Sequence, residues 1–290
     1  MKRAALFLLL LALFAPLLAC AGEEKVETWA EITASLASDE PDPVPAEWLL
    51  PLPERGLKAN AGLNKRIANI LLMSTDEKDL ARNLGRTDVM ALCSVHLDKG
   101  DAAIVALPET RMMELAGLPG EIRLKYVNCF GGPLRVAQTV NEWLGLNVTR
   151  YCAVNEEALI RAVDAMGGVR LTLNAAEAEA LGVAAGENVL TGEQALNYAR
   201  LRRSGDAWER PRKLMEALIG DVKGRGMEQA GTLAEKLLPL IDTNLTSNDV
   251  MDLILALLDS GQSAAVRMLS LPRDCQDGAA WCQTALYGDQ

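Results

Sequence analysis

Residues 67–107 read IANILLMSTDEKDLARNLGRTDVMALCSVHLDKGDAAIVAL. Three apolar runs stand out, Ile67 to Met73, Asp88 to Leu97 and Ala102 to Leu107, each separated from the next by a polar turn. Runs of this length without strict alternation predict strands covered on both faces, because a half-exposed strand would carry a polar residue at every second position. Downstream the period changes. Pro133 to Leu144 sets Val136, Val140, Trp143 and Leu144 at helical spacing, and Glu156 to Met166 is a second helix closed by Gly167-Gly168. Val169 to Leu173 follows as a strand, and Thr191-x-x-Gln194 fits a capping box that opens a helix through Ala195 and Leu196. Helices over Leu214 to Val222, Leu233 to Leu240 and a Ser247-capped segment through Leu258 precede a last strand at Ala265 to Leu271. The alternation predicts an α/β domain, a mixed central β-sheet flanked by helices on both faces, over residues 66–272.

The N-terminus has a different character. Met1-Lys2-Arg3 is followed by the apolar run Ala4 to Ala19, shorter than the roughly 20 apolar residues a membrane-spanning helix needs, so residues 1–20 read as an export signal. Leu17-Leu18-Ala19-Cys20 resembles a bacterial lipobox, which would leave Cys20 as a lipidated N-terminus, and Ala19-Cys20-Ala21 also fits an ordinary small-x-small cleavage site. The lipoprotein route is preferred, giving an extracytoplasmic protein held at the membrane by its N-terminus. Residues 21–65, with the Pro-rich piece Glu40-Pro-Asp-Pro-Val-Pro, read as a spacer. Export permits disulfides, and Cys275 and Cys282, close together in a Gly-containing tail (273–290), are predicted to pair. Cys93, Cys129 and Cys152 lie in apolar segments and read as small buried hydrophobes.

Charge narrows the chemistry. The chain carries 29 Lys and Arg against 39 Asp and Glu, a net charge of −10, so a duplex nucleic acid would be repelled. Against that background Tyr198 to Lys213, YARLRRSGDAWERPRK, concentrates Arg200, Arg202, Arg203, Arg210, Arg212 and Lys213. Guanidinium groups grip phosphate with a planar, permanently charged fork, so the block reads as a local anion site; a solvated helix face is the bland alternative and covers Arg203 and Lys213. The single histidine, His96, sits in an apolar strand, so no Ser-His-Asp or Cys-His system can be assembled, and there is no P-loop and no His-Glu-x-x-His.

The stretches Asn69-Ile-Leu-Leu-Met-Ser-Thr-Asp76, Gly85-Arg-Thr-Asp88, Asn128-Cys-Phe-Gly-Gly-Pro133, Val163-Asp-Ala-Met-Gly-Gly-Val169, Leu190-Thr-Gly-Glu-Gln-Ala-Leu-Asn-Tyr198 and Arg200-Leu-Arg202, in this order, resemble the LytR-CpsA-Psr family. The resemblance runs from about Ile67 to Leu218 and returns at Thr243-Asn-Leu-Thr246. It implies an exported transferase that moves a glycan polymer from a polyprenyl pyrophosphate lipid to a peptidoglycan acceptor with Mg²⁺. On the matching positions it implies Asp76 and Asp88 as the site carboxylates, holding the metal or serving as base. It further implies Arg200 and Arg202 as pyrophosphate ligands, Arg210 or Arg212 as a further one, Arg86 beside Asp88 and the phosphate, and Arg123 in place of a family lysine.

One departure matters. Where the family has Pro-Arg-Asp-Thr this chain has Pro108-Glu109-Thr110-Arg111, so an acid stands at a phosphate-binding position. In an extended segment residues i and i+2 share a face, so Arg111 is expected to supply the missing cation. Two functions therefore stay open: the transferase, and a non-catalytic surface lipoprotein of the same fold that binds polyprenyl phosphate or wall polymer.

Overall fold

Strand β1, Ile67–Thr75, is buried along almost its whole length because it is paired on both edges and covered on both faces. It runs antiparallel to β2 (Thr87–His96) and parallel to β6 (Arg150–Val154). The computed structural model describes residues 57–80, 83–115, 120–201, 209–224, 238–259, 266–272 and 275–287. The export signal with Cys20, the spacer up to residue 56, and Arg202 lie outside them; Asp88 and Arg212 are described by their backbones alone.

Among the described residues six strands form the central sheet, in the order β10 (Val266–Ser270), β3 (Ala102–Leu107), β2, β1, β6, β9 (Asp242–Thr243). β3 pairs antiparallel with β2 and parallel with β10, and β9 closes the far edge antiparallel to β6, so the sheet is mixed as expected. Alternate residues of β1 divide between two cores. Ile70 and Leu72 join the first with α2 (Glu156–Ala165), α4 (Gly192–Arg200), Leu214 and Leu218 of α5 (Glu209–Gly224) and Leu253 of α6 (Ser247–Asp259). Leu71 and Met73 join the second with α1 (Gly132–Leu144) and the 3-10 turn Leu124–Phe130. Each of these leucines is fully buried, so truncation to alanine costs about 2–5 kcal/mol.

The polar residue in the first half of β1 is satisfied. Asn69 accepts from Ser94 Oγ at 2.5 Å and donates to Asn147 Oδ1 at 2.6 Å and Tyr287 Oη at 2.7 Å. Tyr287 ends α7, Gly278–Tyr287, so the tail expected as a loop is a helix pinned to the sheet. Cys275 and Cys282 are both free thiols in it, which corrects the predicted disulfide; Cys282 is one of the buried apolar groups by which the helix packs on the second core.

Smaller elements escaped the sequence patterns. The hairpin β4 (Met112–Glu114) with β5 (Glu121–Arg123), the helix α3 (Ala175–Leu181), and β8 (Gly186–Leu190) paired with β7 (Val169–Leu173) are all short. Thr246, not Ser247, caps α6: its Oγ1 accepts from Asp249 N at 3.2 Å while Asp249 Oδ2 accepts from Thr246 N at 2.7 Å. Leu238–Leu240 is a single 3-10 turn, and the rest of the helix expected from Leu233 lies outside the described residues.

Candidate anion-binding site

The ladder between β1 and β2 breaks where β1 ends. Ser74 opposes Val89 but Thr75 opposes Thr87, which leaves Asp88 as the extra residue of a β-bulge. Such bulges bend a strand and re-aim its neighbours, and they concentrate beside active sites. Just beyond the bulge, Asp76 and Arg86 close the β1–β2 loop on itself. Asp76 N donates to Arg86 O at 3.0 Å, Arg86 N donates to Asp76 Oδ1 at 2.7 Å, and Arg86 Nε lies 3.6 Å from Asp76 Oδ2. Arg86 is largely covered, its side chain 11% exposed, whereas the Asp76 side chain is 41% exposed and presents its carboxylate to solvent. Gly85 makes this closure possible, since a Cβ there would stand 2.6 Å from both Asp76 Oδ1 and Glu77 N.

The loop is held from below by buried amides. Asn128, at the end of the 3-10 turn, donates to Gly85 O at 2.7 Å and to Asn83 O at 3.2 Å. Asn83, buried and in the left-handed region at φ 32°, donates in turn to Asp242 Oδ2 at 2.6 Å. Tyr151 Oη donates to the other oxygen of Asp242 at 3.0 Å. A residue of the edge strand β9 thus anchors the loop through two asparagines.

On the other side the loop meets α2. Asn155 caps that helix, accepting from Ala158 N at 2.9 Å, and its Nδ2 donates to Glu77 O at 3.2 Å and Lys78 O at 3.4 Å. Next along, the Glu156 carboxylate accepts from Arg200 Nη2. Arg200 reaches it because α4 lies against α2 in the opposite sense. Gly192 N donates to Asp164 Oδ1 at 2.8 Å near one end of the pair, and a Cβ on Gly192 would stand 2.2 Å from Ile160 O. Asp76, Arg86 and Arg200 are therefore joined through Glu77, Asn155 and Glu156 at one end of the sheet. Cys129 lies beside this group: burial, with the Asp76 charge adding to it, pushes its thiol up to about 12.

A model of the LytR_cpsA_psr family matches residues 27–288. The chain belongs to this family. Among relatives, the polyisoprenyl-teichoic acid–peptidoglycan teichoic acid transferase TagU of Oceanobacillus iheyensis is 30% identical over 208 residues, covering 67% of this chain and 62% of that protein. The TagU of Enterococcus faecalis is 29% identical over 177 residues, 58% of each chain. This chain thus spans less than two thirds of the length of these relatives. Solved structures share the fold: a Streptococcus agalactiae protein superposes with a TM-score of 0.58 at 24% identity, covering 74% of this chain and 81% of that one. TagT bound to LIIa-WTA gives 0.59 at 19% identity, covering 81% and 97%.

Other residues matched to the LytR_cpsA_psr pattern are placed differently. Arg210 donates from Nε to Glu177 Oε1 at 3.0 Å and from Nη1 to Leu201 O at 2.7 Å. Glu177 is itself buried and completes the capping box of α3, so Arg210 clamps α5 to α3 and to the chain leaving α4. Arg111 stands over the Trp143 ring at 4.6 Å and donates to Cys275 O at 3.0 Å, toward the C-terminal helix. The extended geometry expected to align it with Glu109 is absent: Arg111 N donates to Pro108 O at 3.0 Å, a tight turn. Arg123 is half-buried and pairs through its backbone with Met112.

Sequence reasoning passed over Glu77 and Asn155, which link the loop to α2, and four further residues. Asp242 and Asn83 belong to no motif in the sequence, and only the fold joins them. Glu156 looks like a helix-opening acid. Lys125 carried a signal, a charge between Leu124 and Tyr126, and it is buried with Nζ 5.1 Å from the Tyr126 ring centre. Its backbone ties Glu109 to β2, with its N donating to Glu109 O at 2.9 Å and its O accepting from Thr87 Oγ1 at 3.1 Å.

Proposed function

We propose that this chain is a cell-wall glycopolymer transferase that takes a glycan linked to a polyprenyl diphosphate and attaches it, with its proximal phosphate, to a peptidoglycan hydroxyl. The observation that carries the reading is an exposed carboxylate, Asp76, beside the Arg86 guanidinium at one end of the sheet, with Arg200 tied to the same loop through Glu156, Asn155 and Glu77. Membership of a family whose relatives are named as teichoic acid transferases supports it. In the reaction the acceptor oxygen bonds to the glycan-proximal phosphorus, the bridging P–O bond to the lipid phosphate breaks, and the hydroxyl proton passes to a carboxylate. Arg86 and Arg200 hold the anionic oxygens, and the carboxylate that takes the proton makes the sugar hydroxyl the nucleophile.

Mg²⁺ fits this donor set. Among the described residues no three of His, Cys, Asp and Glu converge into a cage, but Mg²⁺ characteristically takes one or two carboxylates, substrate phosphates and waters, and Asp76 offers an accessible carboxylate. Asp76 with Asp88 would hold it, and bound there it supplies neutralisation of the charge that grows on the diphosphate. Arg202 belongs to the same reading as a second diphosphate ligand beyond Arg200. Attachment to the outer face of the membrane, through Cys20 or an uncleaved signal, keeps the site within reach of a lipid-borne donor.

The test is release of polyprenyl phosphate from a lipid-diphosphate-linked glycan by the purified protein with Mg²⁺, and its loss in Asp76→Ala and Arg200→Ala. A wild-type protein that shows no turnover and retains no lipid would overturn the reading. The engagement of Arg111 with Trp143 and Cys275, away from the compensating position beside Glu109, favours a second one, a binder without catalysis. Under it Glu109→Arg creates activity; under the first it leaves existing activity unchanged.

A further inference from the structure

We infer that Glu156 is an internal stand-in for the ligand's phosphate: its carboxylate occupies Arg200 when the site is empty and must be displaced for an anion to bind. The inference rests on the reading of Arg200 as a diphosphate contact and adds to it how the empty site is regulated. Three observations carry it. The contact is one-sided, because Glu156 engages Nη2 while Arg200 Nε is buried with no hydrogen-bond partner among the described residues. A guanidinium edge satisfied at one nitrogen and stranded at the other is held less firmly than a bidentate fork, and a buried donor without an acceptor is destabilising. A diphosphate, with several anionic oxygens, can satisfy both nitrogens at once.

Displacement is also cheap on the acid's side. The Glu156 side chain is 47% exposed and that of Arg200 29%, so the carboxylate can swing into water with little loss of solvation, and an ion pair this exposed is weak. Its seat is set by the fold rather than by chance. Glu156 is the first residue of α2, directly after the Asn155 cap that grips the β1–β2 loop, where the helix dipole favours a carboxylate. The close approach of α4 at Gly192 brings Arg200 to it.

The consequence is a tax on affinity. Apparent binding is weakened by the fraction of molecules in which Arg200 is already engaged, and the same carboxylate reclaims Arg200 as product leaves. Glu156 acts through Arg200 and is a positioning residue.

The experiment titrates inorganic pyrophosphate with Mg²⁺ into the full mature chain by calorimetry, in wild type and in Glu156→Gln, Glu157→Gln, Arg200→Ala and the double variant Glu156→Gln/Arg200→Ala. Glu156→Gln is expected to tighten binding by about threefold to tenfold, the scale set by a partly exposed ion pair. Glu157→Gln, whose carboxylate pairs with Arg161 at 3.7 Å, is expected to change it by less than about twofold. In the Arg200→Ala background the Glu156 substitution should have no effect. Generic damage to α2 would weaken binding, so a gain that depends on Arg200 is a readout no structural role produces. If Arg200→Ala loses binding while Glu156→Gln leaves it unchanged or weaker, the stand-in is wrong and the diphosphate reading stands. If no variant binds, or Arg200→Ala binds as wild type does, both fall.

Discussion

Asp76 and Arg86, ten residues apart, are bonded both through their backbones and through their side chains, so the β1–β2 loop closes as a ring at the edge of the site. One oxygen of Asp76 is structural, accepting the Arg86 amide, while the other faces the guanidinium and solvent. The two roles separate by substitution. Asp76→Asn keeps an acceptor for the amide and removes the charge, so the loop should persist with transfer falling about 100-fold or more, the scale of a lost acid–base or charge-handling group. Unchanged melting with lost lipid-phosphate release is the expected pair of results; full activity in Asp76→Asn would exclude the carboxylate from the chemistry.

Gly85→Ala should open that ring. Its new methyl meets Asp76 Oδ1, Glu77 N and Thr75 Oγ1, all within 2.7 Å, and overpacking of this kind costs about 1–3 kcal/mol. Amide exchange should accelerate in residues 75–87 while the central strands keep their protection.

Asp242→Ala strands the buried donor Asn83 Nδ2 and removes an acceptor of the half-buried Tyr151 Oη, from a position far in sequence from the loop it supports. A destabilisation of about 2–3 kcal/mol by urea titration is expected, accompanied by weaker pyrophosphate binding although Asp242 touches no ligand. Wild-type behaviour in both would mean the asparagine chain does not hold the loop.

Arg210→Ala distinguishes a clamp from a ligand contact. Removing it leaves the buried Glu177 carboxylate without its cation, a loss of about 3 kcal/mol or more. The folded fraction should still bind pyrophosphate with little change. A stable variant with selectively lost binding would return Arg210 to the anion site.

Alkaline pH should weaken the fold through its thiols. Burial pushes Cys93 and Cys282 up to about 12, so the folded protein keeps them protonated where the unfolded chain ionises them, near pH 9. Stability that is complete below pH 9 is therefore lost progressively between about pH 9 and 12. Urea midpoints at pH 8 and pH 10 test this, and Cys93→Ala, whatever its own cost, should show a shallower decline.

The sheet was legible because its signal is local. Continuous apolar runs at Ile67, Asp88 and Ala102 demand cover on both faces, and the Thr191/Gln194 box announces the helix that ends at Arg200. What escaped depends on contacts distant in sequence. Nothing near Asp242 states that it supports Asn83, 159 residues earlier, and nothing near Cys275 states that its carbonyl receives Arg111. Arg210 shows the opposite failure: cationic composition pointed to an anion, but its neighbour in space is a buried glutamate from α3. The Pro108–Arg111 turn was misread as strand because a single residue count, i to i+2, was carried into a place where the chain reverses.

The bulge at Asp88 has a genetic consequence. In a strand, facing is a matter of odd and even, and the supernumerary residue switches that parity between Thr87 and Val89. Loss of one codon here would leave every residue type in place yet put either the loop or the strand out of phase with its surroundings. Descent of such a sheet should therefore tolerate exchange of letters along β2 far more readily than a change in their number.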